Sequence, residues 1–156
     1  MGLANDATRD EEGRHYPERP IVGVGAVVWK NEHILLIKRG REPLKGQWSL
    51  PGGAQHLGET IEATAIREIA EECGINVIVT GLVDVVDAIF TDSGGLIRNH
   101  YTLIDVMGEW QSGDACAGSD ATDIAWTKVE DIGRFSLSDK TLAVILKSAA
   151  LRKPAL

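Results

Sequence analysis

The sequence predicts an α/β protein of the α+β type, with a mixed β-sheet sandwiched between α-helices in a single domain. Three observations predict it. The chain has 156 residues, the size of one domain. Two β-branched apolar segments, 21–30 and 33–40, are separated by only two residues. Two later segments, 59–73 and 138–151, carry apolar residues at helical spacing. A domain of about 150 residues buries roughly 68–70% of its unfolded surface, so it needs no disulfide or structural metal to fold.

The elements follow in order. Residues 1–19 are polar and charged and read as a mobile tail, leaving 20–152 as the folded domain. IVGVGAVVWK (21–30) and HILLIKRG (33–40) read as a hairpin turned at Asn31-Glu32. REPLKGQ (41–47) is a polar loop, and WSLPGG (48–53) an extended piece stopped by Pro51 and two glycines. ETIEATAIREIAEEC (59–73) is the clearest helix, with Gly74 as its C-terminal stop. Residues 75–90 read as strands broken near Gly81, Thr91–Gly95 as a turn, and 96–110 as a strand. A Gly/Ser/Asp loop (111–121) precedes a short strand at 123–129. The last helix presents Leu142, Ile145, Leu146 and Ala149 as its apolar row.

Sixteen Lys and Arg stand against 23 Asp and Glu, a formal charge of −7. That excess argues against a nucleic-acid or anionic-membrane binder, because a phosphate polymer selects for cations. It does not exclude a small phosphorylated ligand, since a few local cations or a bound metal reverse the sign inside a cleft. Cys73 and Cys116 form no CxxC pair and read as reduced thiols of a cytoplasmic protein. No apolar run is long enough to cross a membrane as a helix. The first stretch of chain lacks the apolar core of a secretion signal.

The middle helix carries the chemistry. At about 100° per residue from Ile61, the residues Ala65, Ile69, Cys73, Ile66 and Ala70 span roughly 40° to 180°, the expected buried stripe. Glu68, Glu72 and Glu71 fall at about 340°, about 20° and about 280°, on a face beside that stripe. Glu62 lands at about 100°, toward the buried arc, with no role beyond meeting the helix dipole. Most acidic runs are simply solvated faces. Yet like charges at i,i+3 and i,i+4 repel, and a hard divalent cation removes the repulsion.

The full pattern decides between these. Gly53, Glu59, Arg67, Glu68, Glu71, Glu72 and Gly74 stand at the spacing G-x5-E-x7-R-E-U-x-E-E-x-G-U, with aliphatic Ile69 and Ile75 at U. Seven fixed residues at background frequencies near one in fifteen coincide at about one start point in 10^8. The sequence resembles the Nudix hydrolases over about residues 20–150, and is most similar to the bacterial ADP-ribose pyrophosphatase group. The resemblance rests on RPIVGVGAVVWKNEHILLIKRG, GQWSLPGG, the box itself, HYTLIDV and DIAWTKV.

The resemblance implies the Nudix fold, Mg2+ as cofactor with Mn2+ able to substitute, and hydrolysis of a pyrophosphate in a nucleoside diphosphate linked to another moiety. It implies metal ligation by Glu68, Glu72 and Glu71 with a backbone carbonyl of Gly52 or Gly53, and proton abstraction from water by one of the glutamates. Arg67 orients a neighbouring carboxylate, Glu59 is a structural partner, and Gly53 and Gly74 shape the box. A further acid from a later loop is expected, with Asp120 favoured over Asp114, Asp123 and the more distant Glu109. Lys38, Arg39, Arg41 and Lys45 gather just before the box, and Arg39 and Arg41 are the expected phosphate contacts. Trp48, Phe90 and Tyr101 are the expected nucleoside contacts, with Trp29 also available and His100 more in keeping with a strand surface. ADP-ribose leads as substrate, although Asp84–Asp92 lacks the proline that many ADP-ribose hydrolases carry past the box. Damaged nucleoside triphosphates and nucleotide sugars are the alternatives. A non-catalytic nucleotide sensor would usually have lost box carboxylates, and all four are present here. Dimers are common in the family, and a small nucleotide, not a polymer or membrane, is the implied partner.

Overall fold

Strand β1 (Ile21–Lys30) organises the molecule, because it has strand neighbours on both edges, β6 along one and β4 then β2 along the other. The computed structural model describes residues 13–42, 44–118 and 120–152. β1 turns through Asn31, held at φ 55, into β2 (His33–Arg39). Asparagine tolerates that left-handed conformation, which is why a two-residue hairpin works here. β3 (Trp48–Ser49) pairs with β2, and β4 (Gly52–Ala54) with β1. Helix α1 (Ile61–Cys73) follows. Then come the long strands β5 (Asn76–Thr91) and β6 (Ile97–Ser112), the shorter β7 (Ala121–Lys128), a 3-10 turn (Val129–Arg134) and helix α2 (Asp139–Leu151).

The sheet runs β3-β2-β1-β6-β5, with β4 against β1 and β7 against β2. β6 lies parallel to β1 and the other pairs are antiparallel, so the sheet is mixed as predicted. β1 and β2 are buried on both faces, which explains their continuous apolar sequence. Val24, Ala26, Val28, Leu35 and Ile37 meet Ala65, Ile69 and Cys73 of α1. Val27, Trp29, Ile34 and Leu36 meet Val144 and Ile145 of α2 on the other side.

Three expectations change. The segment predicted as strands broken at Gly81 is one 16-residue strand, and it absorbs Gly81 through register shifts against β6. On α2, Leu146 is exposed, while Val144 and Ser148 join the expected Ile145 in the buried face. On α1, Glu62, Ile66 and Ala70 are exposed, and the buried residues are Thr64, Ala65, Glu68, Ile69, Glu72 and Cys73. The helix is rotated from the apolar-stripe expectation so that two glutamates point inward. Of the segment read as a tail, residues 1–12 lie outside the described residues. Its remainder touches the β5–β6 hairpin: Tyr16 N–H donates to Arg98 O at 2.8 Å, and Asn99 Nδ2 donates to Arg14 O at 2.9 Å.

Candidate active site

Helix α1 begins where Thr60 caps it, its hydroxyl accepting from Ala63 N–H at 3.0 Å. It stops at Gly74, whose φ of 69 suits glycine and whose N–H reaches Ala70 O at 3.0 Å. Between these caps Glu68 and Glu72 stand one turn apart, and both line a cleft of about 670 Å³. The Gly52 N–H donates to Glu72 Oε2 at 3.2 Å, tying strand β4 to the helix.

Arg67 gathers the rest of the box. Its Nε and Nη2 donate to the two oxygens of Glu59 at 2.7 and 2.9 Å, a bidentate pair. Its Nη1 donates to Glu68 Oε1 at 2.8 Å and, more weakly, to Glu71 Oε2 at 3.3 Å. Nη2 also reaches Ala54 O at 3.1 Å. Glu59 further accepts from His56 N–H at 2.9 Å and Thr64 Oγ1 at 3.2 Å. The Arg67 hydrogen bonds come first among the causes that hold Glu59 down to about 2. These contacts of Glu59 are thus to the loop and helix that carry it. Glu71 is the most open of the box glutamates, its side chain 55% exposed.

The inward pair is electrostatically costly. Burial first, with Glu68 and Asp120 adding repulsion, pushes Glu72 up to about 8, against the pull of the Gly52 N–H and Arg39. Burial also raises Glu68, opposed by Arg67. Two hard oxygen donors one turn apart, each destabilised as an anion, form a set suited to a small divalent cation. Among the described residues no three acidic, histidine or cysteine side chains converge on one point. Glu68 and Glu72 both line the cleft, whereas Glu71 does not and sits on the Arg67 side, 3.3 Å from its guanidinium.

The other predicted residues divide. Arg39, Arg41 and Lys45 line the cleft, whereas Lys38 does not. Arg41 Nε pairs with Asp120 Oδ1 at 2.9 Å, joining an expected phosphate contact to the expected loop acid. Asp120 also lines the cleft and is felt by both Glu68 and Glu72. Asp114 and Asp123 are exposed away from it, and Glu109 is held by Arg152 at 2.7 Å. Trp48, Phe90 and Tyr101 line the cleft, Trp48 in a T-shaped contact with Phe135, ring centroids 4.9 Å apart. Trp29 is core, its Nε1 donating to Ser148 Oγ at 3.0 Å, and His100 does not line the cleft. Sequence reasoning missed Asp105, a buried carboxyl on β6 that lines the cleft. The signal was available, since an aspartate inside YTLIDVM interrupts an apolar strand. It also missed Lys140, Thr141 and Val144, with which α2 closes one wall.

Comparison with known proteins gives the same assignment throughout. The family model of the NUDIX domain matches residues 19–147. An ADP-ribose pyrophosphatase of Methanocaldococcus jannaschii is 32% identical over 123 residues, 79% of this chain and 70% of that protein. A Mycobacterium tuberculosis protein with the provisional name 8-oxo-dGTP diphosphatase 2 is 47% identical over 58 residues, 36% of this chain and 40% of its own. Among solved structures, a MutT NUDIX hydrolase from Burkholderia pseudomallei superposes with a TM-score of 0.72 at 31% identity, covering 83% of this chain and 98% of that one. The NUDIX domain of Shewanella oneidensis NrtR, solved with ADP ribose, shares the fold at a TM-score of 0.68 and 19% identity, over 97% and 99% of the two chains. With its box intact from Gly53 to Ile75 and the family's model matched from residue 19 to 147, the chain belongs to the Nudix hydrolases.

Proposed function

We propose that the protein hydrolyses the pyrophosphate bond of a nucleoside diphosphate linked to a second moiety, with ADP-ribose as the leading substrate and Mg2+ as the metal. The observation that carries this reading is the buried Glu68–Glu72 pair facing a cleft that also holds Arg39. Carboxylates raised by burial are poor neighbours for each other, and a divalent cation turns the cost into binding. Glu68 and Glu72 would hold Mg2+ with a carbonyl of the Gly52–Gly53 turn. When bound, the ion supplies charge neutralisation of the bridging phosphates and an acidified water.

The chain's own residues do the remainder. Arg39 and Arg41 hold phosphate oxygens and set the anhydride in line for attack. Arg67 fixes the rotamer of Glu68 from one side while Glu59 fixes Arg67, so the ligand pair is preorganised. Glu71, half-exposed beside Arg67, or Asp120, in the opposite loop, accepts the proton of the attacking water. Trp48, Phe90 and Tyr101 give the nucleoside a wall.

ADP-ribose is supported by the pyrophosphatase relative that aligns with most of the chain. Hydrolysis of damaged nucleoside triphosphates is the second reading, supported by the shorter 8-oxo-dGTP-related match. Incubation with Mg2+ or Mn2+ and a panel of ADP-ribose, dinucleoside polyphosphates, nucleotide sugars and oxidised triphosphates separates the two. Release of AMP plus a phosphorylated fragment supports the first, and release of pyrophosphate the second. No turnover on any member removes both.

A further inference from the structure

We propose that Asp105 is the specificity-determining residue of this cleft, where its carboxyl accepts hydrogen bonds from two adjacent N–H or O–H donors on the non-phosphate part of the substrate. The inference rests on the nucleotide reading above and adds which half of the nucleotide is read, and by what.

Asp105 is 7% exposed yet lines the cleft. Among the described residues its carboxyl has no hydrogen bond and no ion pair. The titratable group set beside it is Asp84, its partner across the β5–β6 ladder, which repels it and is itself paired with Lys147 at 3.5 Å. Its oxygens are not sealed in the core but open onto the cleft, so a carboxyl with no protein partner there is free to take donors from a ligand.

Its placement looks built. On β6, Ile104 and Val106 pack toward α1 and Met107 toward α2, so alternation puts Asp105 on the α2 side of the sheet. The neighbouring position on β1 is Gly25, and a Cβ there would lie 2.5 Å from Asp105 Oδ1. Glycine at 25 thus makes the space in which the carboxyl lies flat across the sheet. Leu103, Val86 and Val144 give the cleft apolar lining. They offer a ligand's flat or aliphatic surface a dry seat, with one acceptor pair at its floor.

Charge decides which half of the ligand belongs there. A phosphate at Asp105 would meet a second anion. The phosphates belong with Arg39 and the Glu68–Glu72 pair, where α1 faces the cleft. What reaches Asp105 is the uncharged part of the nucleotide. Two chemistries present adjacent donors to a carboxylate: a base edge with a ring N–H beside an exocyclic amine, and the vicinal hydroxyls of a ribose.

The test compares wild type, Asp105→Asn and Asp105→Leu. Hydrolysis is measured on substrate pairs that differ by one donor: guanine against hypoxanthine nucleotides for the base, and ribo- against 2′-deoxyribonucleotides for the sugar. A hydrogen bond to a charged group predicts about a 10–100-fold fall in kcat/KM for the variants on the preferred member, carried mainly by KM. The wild-type preference within that pair should collapse. Which pair collapses names the source of the donors. The Mg2+-induced thermal shift of each variant should equal that of wild type, which shows the fold and the metal pair intact. Binding of ADP-ribose, ADP, GDP, IDP and dGDP without metal, by saturation-transfer NMR, gives a readout independent of turnover. If no substrate is hydrolysed but the variants lose a wild-type binding preference, the proposed reaction falls and Asp105 stands. Wild-type affinities and preferences in both variants would overturn the proposal.

Discussion

The Glu68 carboxylate rests directly on the Cα of Gly53: a Cβ built at that glycine would lie 2.5 Å from Oε1 and 2.6 Å from Oε2. Residue 53 is thus glycine because a side chain would take the place of the carboxylate, and no left-handed backbone need is involved. Gly53→Ala should displace Glu68 while leaving most of the core untouched. We expect kcat/KM to fall about 10–100-fold, the range found when the support of a metal ligand is disturbed, and the circular dichroism spectrum to be retained. An alanine variant with wild-type kinetics would remove Glu68 from the site.

Removing one inward carboxylate should uncouple metal from stability. At a free Mg2+ concentration about a hundred times its Kd, binding adds about 2.7 kcal/mol, or about 5–10 °C in Tm for a domain of this size. Differential scanning fluorimetry should show this shift in wild type and lose it in Glu72→Gln. The same variant should remain folded and lose most of its turnover. Full activity in Glu72→Gln would sink the metal assignment.

Arg67 tests whether geometry or charge matters at the box. Lysine keeps the charge and loses the fork that holds both oxygens of Glu59 while also reaching Glu68. Arg67→Lys is expected to lower kcat/KM about 10–100-fold through the loosened ligand pair. Glu59→Gln should behave similarly, and the double variant should cost little more than either single one, since the two act as a unit. Additive losses would separate their roles.

Asp105 gives a pH signature. Burial first, then repulsion by Asp84, raises it from 3.8 to about 6. In the unfolded chain it ionises near the lower value, so between about pH 4 and 6 the folded state holds the extra proton. Stability therefore falls as pH rises through that window, by up to about 3 kcal/mol for a shift of this size. Asp105→Asn has no such step. Urea titrations across that window and just above it should show wild type losing stability relative to Asp105→Asn, and parallel curves would contradict the burial of an unpaired carboxyl.

The sequence by itself determined the hairpin, both helices and the box. These are local properties: a turn at Asn31, a Gly74 stop and a fixed spacing along one helix can each be read within a few residues. It also offered Asp120, ahead of Asp114, Asp123 and the more distant Glu109, as the expected loop acid, and of these four only Asp120 lines the cleft. What the tertiary structure decided was direction. Periodicity alone put Ile66 inward and left the glutamates beside the stripe. Packing against β1 and β4 instead turned Glu68 and Glu72 into the protein, because Gly53 leaves room for one and the Gly52 N–H bonds the other. Asp105 was legible only as an oddity in an apolar strand. Its meaning came from the parallel pairing of β6 with β1, which sets Gly25 beside it from a distant part of the chain and leaves a carboxyl without a partner at the floor of the cleft. No local pattern encodes such a contact, since it exists only once the sheet has brought the two strands together.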